Sequence, residues 1–418
     1  MSPNKNPVII VGAGLSGLSC ALKLQEAGTP YIILEASDCV GGRARTDNVD
    51  GFLLDRGFQV FLSAYPKAGK LLNLEALELC KFEPGALVFD GQKMQRVMDV
   101  FRRPLRMLGS ALSPIGSLTD KLRVAQLRFQ ALGTSQADIA RHQDLRTVEF
   151  LRSYGFSECM IDGFFRSFYG GIFLENELRT SSRMFEFTFK MFTSGYATLP
   201  ANGMSAIPKQ LADRLPRSAI SLNTPVQSVT TDSVTLLDGA SLDASQVILA
   251  TDASTASHLV PNFESIAPSW RAVTNFYFSA DQSPLKEAII ALNGSGDGLV
   301  NNLCVPSDVS PSYAPAGKSL ISVAVLGERR DPHLRDIVIA ELREWFGDSV
   351  MQWQHLRTDI IKHALPEQAP SIEPPKAGYL NIDGIWLCGD HTSTASIEGA
   401  IMSGQATAEQ VIARLAAP

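Results

Sequence analysis

The chain has 418 residues, a length that predicts two or three domains and lets about three quarters of the unfolded surface leave water. A composition of 45% apolar and 19% charged residues excludes disordered, fibrous and disulfide-stapled chains. The net charge of −6 excludes nucleic acid as a general partner, since neutralising phosphates takes a concentrated basic surface. Cys20, Cys39, Cys80, Cys159, Cys304 and Cys388 include no C-x-x-C pair, so neither a zinc framework nor a secreted disulfide scaffold is expected, and no metal site is assigned. A polar start and the lack of any run of about 20 apolar residues predict a reducing, cytoplasmic setting without export signal or spanning helix.

The first element is a buried strand, Val8-Ile9-Ile10-Val11, followed at once by Gly12-Ala13-Gly14-Leu15-Ser16-Gly17. A helix over Leu18 to Ala27 ends at Gly28, and a second strand, Tyr31 to Leu34, delivers Glu35 and Ala36. This is a dinucleotide-binding βαβ unit. Gly12 permits the tight turn, Gly14 lets a pyrophosphate approach the backbone, and Gly17 lets helix and strand pack closely. Leu15 and Ser16 open the helix, whose positive end meets the phosphates. Glu35 is placed to accept hydrogen bonds from the ribose hydroxyls. The turn by itself does not separate NAD from FAD.

Gly41-Gly42-Arg43-Ala44-Arg45-Thr46 resembles the G-G-R-x-x-T segment of the superfamily of flavin amine oxidases, carotene desaturases and protoporphyrinogen oxidases. Leu53-Leu54-Asp55-Arg56-Gly57-Phe58-Gln59 is similar to the strand and turn that this superfamily places beside the flavin. The resemblance implies FAD as cofactor and an α/β fold. It implies a Rossmann-like FAD-binding domain over 1–75, 205–255 and 365–418, and a discontinuous α+β substrate domain over 76–204 and 256–364. Arg43 and Arg45 then become either pyrophosphate contacts or structural neighbours.

From Lys93 to Arg128 eight Lys or Arg stand against Asp99 and Asp120, interleaved with Leu105, Met107, Leu108, Leu112, Ile115 and Leu118. Such a surface suits peripheral contact with anionic lipid, while Pro104, Pro114 and Gly116 equally suit an ordinary solvated helix pair. Phe164, Phe165, Phe168, Tyr169, Phe173, Phe185, Phe187, Phe189 and Phe192 are expected to be core, with about a third facing an apolar substrate cavity. Strand-like runs Val226 to Thr235 and Val247 to Ala253 flank an Asp238-Gly239 turn and are similar to the family's middle FAD segment, with Val226 near adenine. Gly294-Ser295-Gly296-Asp297-Gly298 carries Leu299 where a phosphate loop needs its last glycine, so a hairpin is expected.

Near the far end, Gly384 to Asp390 and Ala395 to Gly404 resemble the terminal flavin motif, nearest to plant-type carotene desaturases and squalene-associated desaturases. The resemblance implies cofactor contacts at Gly389, Asp390, Ile397, Glu398, Gly399 and Ala400. His391 is the low-weight catalytic candidate, more often a backbone-orienting neighbour at such a place. The flavin itself accepts the hydride, so no acid–base pair is required of the chain. The reading is dehydrogenation, desaturation or a related redox step on an apolar isoprenoid- or carotenoid-like molecule, with a tetrapyrrole close behind and oxygen or a quinone as electron acceptor. Amine oxidation is the alternative, weakened because Ser396 stands where amine oxidases carry an aromatic residue and because Val273 to Phe278 holds Thr274 and Asn275 but no lysine. A catalytically silent FAD-binding partner is a further alternative.

Overall fold

The computed structural model describes residues 6–99, 101–102, 115–370 and 378–417. Arg103, Pro104, Leu105, Arg106, Met107, Leu108, Leu112 and Pro114 lie outside them. A six-stranded sheet has Val8–Val11 near its middle, parallel to Tyr31–Leu34 on one side and to Gln246–Leu249 on the other. Ile220–Ser221 extends it beyond Tyr31–Leu34, and Ile385–Leu387 and Leu380–Ile382 extend it beyond Gln246–Leu249. The chain leaves Val8–Val11 toward one edge and leaves Gln246–Leu249 toward the other. The carboxyl ends of these two neighbouring strands therefore splay into a crevice, the usual place for a ligand in such sheets.

Both faces of this sheet are covered, which is why Val8, Ile9, Ile10, Val247, Ile248 and Leu249 are all at 1% exposure or less. The helices Leu15–Glu26 and Ile397–Ala416 cross on one face. They approach closely because a Cβ on Gly404 would stand 2.1 Å from the Ser16 carbonyl oxygen, and because the Ser19 hydroxyl donates to the carbonyls of Ser16 and Ile401. The other face carries a three-stranded antiparallel sheet, Val226–Val229, Ser233–Leu236 and Ser241–Asp243. The expected strand from Val226 to Thr235 is thus two strands, since the Thr230 hydroxyl bonds Asp232 and closes a turn between them. Asp238-Gly239 forms the next turn. The expected strand ending at Ala253 stops at Leu249, because Asp252 caps a helix over Ala253–Leu259 by accepting the Ser254 and Thr255 N–H groups. The opening helix begins at Leu15 rather than Leu18, with the Gly14 carbonyl accepting its first bond from Leu18.

A seven-stranded sheet has the order Gln354–Pro366, Trp270–Ala280, Ser319–Leu326, Val300–Cys304, Ile290–Asn293, Gly85–Phe89 and Met94–Met98. Helix Leu334–Phe346 packs Val338, Leu342 and Trp345 on one face against Phe276, Phe278 and Val323. The other face looks toward the ring-bearing helices Arg166–Phe173 and Ser182–Ser194. Residues 294–298 join Ile290–Asn293 to its antiparallel neighbour Val300–Cys304, a hairpin connection and not a phosphate loop. A small sheet of Phe61–Leu62, Ala197–Leu199 and Cys80–Lys81 ties the two halves together.

Candidate functional site

A continuous cavity of about 1800 Å³ runs from the carboxyl ends of the six-stranded sheet into the space between the seven-stranded sheet and the ring-bearing helices. Its first end is built from backbone. Gly12 takes a φ of +106°, which side chains rarely tolerate, and its N–H is fixed on the Leu34 carbonyl. A Cβ on Gly14 would meet no atom within 4 Å, so this face opens into the cavity, and Gly14 pairs as a parallel bridge with Gly41. No side chain caps the opening helix and no acid stands in its first turn. Its free N–H groups and positive end therefore fit a pyrophosphate. Gly17 is not on the cavity wall: a Cβ there would stand 2.0 Å from the Gly12 carbonyl oxygen, which is the helix–strand packing role the motif predicts.

Glu35 lines the crevice with Ala36. One carboxylate oxygen accepts the Ala13 N–H at 2.7 Å, and the other accepts the Ser37 N–H at 2.9 Å and its hydroxyl at 2.7 Å. It is therefore held rigid, with lone pairs left for ribose hydroxyls. Gly41, Gly42, Arg43, Gly57, Val226, Gly389, Asp390, Ile397 and Ala400 also line the cavity. Arg43 donates to Asp390 at 2.5 Å and to the Ala364 carbonyl at 3.1 Å, and its guanidinium lies 5.2 Å from the Trp270 ring centre. The Gly41–Thr46 segment and the terminal motif thus meet through one ion pair. Arg45 takes the structural alternative, bonding Asp38 and Asp47. Beneath the Gly57 turn, burial pushes the Asp55 carboxyl up to about 6, while Thr46, Met204 and Tyr313 donate to it.

Three expectations need correction. Glu398 is wholly buried and faces away from the cavity, accepting the N–H groups of Lys67 and Ala68 at 2.8 and 2.9 Å, so it fastens the segment before the short helix Ala68–Leu71. Gly399 is off the wall too, because a Cβ there would stand 1.9 Å from the Thr394 carbonyl oxygen, so its smallness serves the turn into the closing helix. His391 is 9% exposed and absent from the wall. Its ring nitrogens have no hydrogen-bond partner among the described residues, and its ring packs 5.9 Å from that of Phe263. The imidazole therefore lies behind the wall, next to Gly389, and is not a group that a substrate in the cavity would meet.

Burial pulls the His391 imidazole down to about 4. A folded value depressed below the unfolded value of about 6.5 makes its stabilising contribution complete above pH ~6.5 and loses it as pH falls toward 4, by about 3 kcal/mol. His391→Phe is expected to flatten that part of the acid loss of stability, measured by denaturant unfolding of the FAD-loaded protein at neutral pH and near pH 4.5. Equal losses in variant and parent would contradict the assignment.

The second end is apolar. Phe164, Phe165, Phe168, Tyr169, Phe189 and Phe192 reach the cavity wall, more than the third expected, while Phe173, Phe185 and Phe187 stay in the core. They reach it because the helices carrying them lie against the cavity along their length, as a mid-chain list of rings does not reveal. The sequence reading also passed over Asp252, which follows a strand at the crevice, and Arg357, Asp359 and Lys362 of the edge strand Gln354–Pro366. Asp252 was recoverable from its place after a central parallel strand. The other three carry no motif.

A nucleotide crevice opening on an apolar chamber suits a dinucleotide-dependent oxidoreductase, and the family of this chain makes it a flavoprotein that binds FAD. The chain belongs to the flavin containing amine oxidoreductase family, whose sequence profile matches residues 15–412. It is 23% identical over 452 residues to the 15-cis-phytoene desaturase, chloroplastic/chromoplastic, of Arabidopsis thaliana, covering 97% of this chain and 80% of that one. A candidate protoporphyrinogen oxidase from Exiguobacterium sp. 255-15 superposes with a TM-score of 0.73 at 17% identity, covering 98% of this chain and 99% of the other. Putrescine oxidase bound to putrescine does so with a TM-score of 0.70 at 18% identity and the same coverage. At such identities these two structures share the fold.

Proposed function

We propose that the protein dehydrogenates or desaturates an apolar isoprenoid-like molecule, with a tetrapyrrole as the next substrate class. The observation that carries this reading is the ring-lined chamber continuous with the nucleotide crevice, where Phe164, Phe168, Ile172, Phe189 and Phe192 offer little but apolar surface. FAD held along Gly14, Glu35, Arg43 and Asp390 would supply the hydride-accepting ring. The chain then binds the substrate, aligns it and keeps water out. Amine oxidation stays the second reading because the fold is shared with putrescine oxidase. Against it, Ser396 spends its hydroxyl capping the closing helix at Gly399, so no aromatic cage wall arises there. The test is anaerobic bleaching of the flavin with carotenes, protoporphyrinogen and amines in turn. Bleaching by amines alone would overturn the order.

The reading includes peripheral contact with a lipid surface, and oxygen or a quinone as electron acceptor. No helix among the described residues is long and apolar enough to cross a membrane. Helix Leu118–Gly133 nevertheless exposes Leu118 at 70%, Leu122 at 71% and Phe129 at 66% on one stripe, beside Phe101. Phe101, Leu118 and Leu122 also line the cavity, so the stripe is continuous with it, and Arg128 beside them is paired with Asp99. Leu122→Glu with Phe129→Glu is expected to lower sedimentation with anionic vesicles at least roughly tenfold, as burying carboxylates at a lipid surface is costly. Undiminished sedimentation would remove the contact from the proposal.

A further inference from the structure

The nucleotide crevice holds a second acid–base pair that mirrors Asp390 and Arg43. Leu249 and Leu387 are register partners in neighbouring parallel strands. Asp252 and Asp390 each follow three residues later, so the two carboxylates occupy matching places at the carboxyl ends of Gln246–Leu249 and Ile385–Leu387, and both line the cavity. Each faces one base: Arg43 donates to Asp390, and His363 Nδ1 lies 3.5 Å from Asp252 Oδ1. Both bases rest against one ring. The Arg43 guanidinium is 5.2 Å from the Trp270 ring centre, and the His363 ring is 5.2 Å from it at a tilt of 32°. His363 is exposed on the cavity wall, and its Nε2 has no hydrogen-bond partner among the described residues.

A pyrophosphate brings negative charge into a crevice that already holds Glu35, Asp252 and Asp390. Like charges at such range repel unless cations stand among them. Arg43 offsets Asp390, which leaves Asp252 to His363. We propose that His363 is a cofactor-binding residue, whose imidazolium joins Asp252 to a phosphate oxygen of FAD. Nδ1–H donates to the carboxylate and Nε2–H to the phosphate, two diverging bonds that only the charged ring can make together. The charged groups packed around it are few. Asp252 faces it from the strand end, and Arg43 with Asp390 lies around Trp270. Helix Ala253–Leu259 adds only His258, off the cavity wall, and burial pulls His391 down to about 4. On its own strand Lys362 lies 3.8 Å from Glu328, while Arg271, next to Trp270, is paired with Glu367. Because the phosphate favours the charged ring, FAD affinity is greatest at acid pH and falls as pH rises through the histidine range.

The test measures FAD release from the loaded protein by equilibrium dialysis at about pH 6 and about pH 8.5, either side of the histidine range, for the parent, His363→Gln and His363→Arg. The pyrophosphate diester keeps one charge across this interval, so the slope belongs to the protein. The parent is expected to hold FAD about tenfold more tightly at the lower pH. His363→Gln should lose that dependence, and His363→Arg, charged at both values, should hold FAD about equally tightly at both. The phosphorus NMR lines of bound FAD should move with pH in the parent and stay in place in His363→Gln, a readout that a merely structural residue leaves unchanged. His363→Lys serves if arginine disturbs the fold. A parent with equal affinity at both pH values overturns the inference, as does a His363→Gln variant that keeps the parent's slope. Uniform weakening by His363→Gln with the slope intact marks a purely structural residue and also overturns it.

Discussion

A Gly14→Val variant is expected to fold and to emerge from purification colourless. Gly14 has an ordinary negative φ of −73°, and a Cβ built on it meets nothing within 4 Å, so the polypeptide alone accommodates a larger side chain. What valine fills is the space above the first turn of the opening helix, where the pyrophosphate must touch backbone. Losing that approach is expected to weaken FAD retention at least roughly 100-fold, equivalent to about 2.7 kcal/mol. Thermal unfolding of the apo forms should nearly coincide, and the flavin absorbance per protein should vanish. A folded variant that keeps its full flavin content would refute the placement of the phosphates. Gly17→Val is the contrasting control: its Cβ falls 2.0 Å from the Gly12 carbonyl oxygen, so the helix must leave the strand and the fold itself should suffer.

Glu35→Ala is expected to damage both cofactor binding and the opening turn. Its carboxylate receives the N–H groups of Ala13 and Ser37, and hydrogen bonds to charged groups are worth about 1.5–3 kcal/mol each. Removing it frees the turn that positions Gly14 and removes the acceptor for the ribose hydroxyls, so FAD affinity should fall by roughly 10- to 100-fold. Glu35→Gln separates the two roles, since one amide oxygen still accepts from backbone while the charge is gone. It should recover only part of the apo stability, because its NH2 meets one of the two N–H groups that the carboxylate accepted, and part of the affinity, read by equilibrium dialysis of FAD and by denaturant unfolding. If Glu35→Ala retains FAD as the parent does, the ribose assignment falls.

The parts legible in the sequence are those whose chemistry is local. A pyrophosphate cradle needs a strand, three glycines and a helix start within a few consecutive residues, so Val8 to Gly17 announces itself. The resemblance of Gly41 to Thr46, and of Gly384 to Gly404, then marks the flavin family. The same locality explains the errors. Glu398 sits in the right motif, yet which way a helical side chain turns depends on what packs there, and the free N–H groups of Lys67 and Ala68 took it. His391 sits beside Asp390 in sequence, but the backbone puts Asp390 at the cavity and the imidazole against Phe263.

The sequence by itself determined the nucleotide-binding βαβ unit and the apolar character of the mid-chain rings, because each is written in contiguous residues whose backbone geometry or composition is sufficient, while FAD as the cofactor followed from the resemblance of its motifs to a flavin family. Only the tertiary structure decided how Arg43 and Asp390, 347 positions apart, close one ion pair, and which rings reach the chamber. Those outcomes are set by packing between distant segments, where side-chain direction follows from the neighbours each face must bury and leaves no period or motif in the chain.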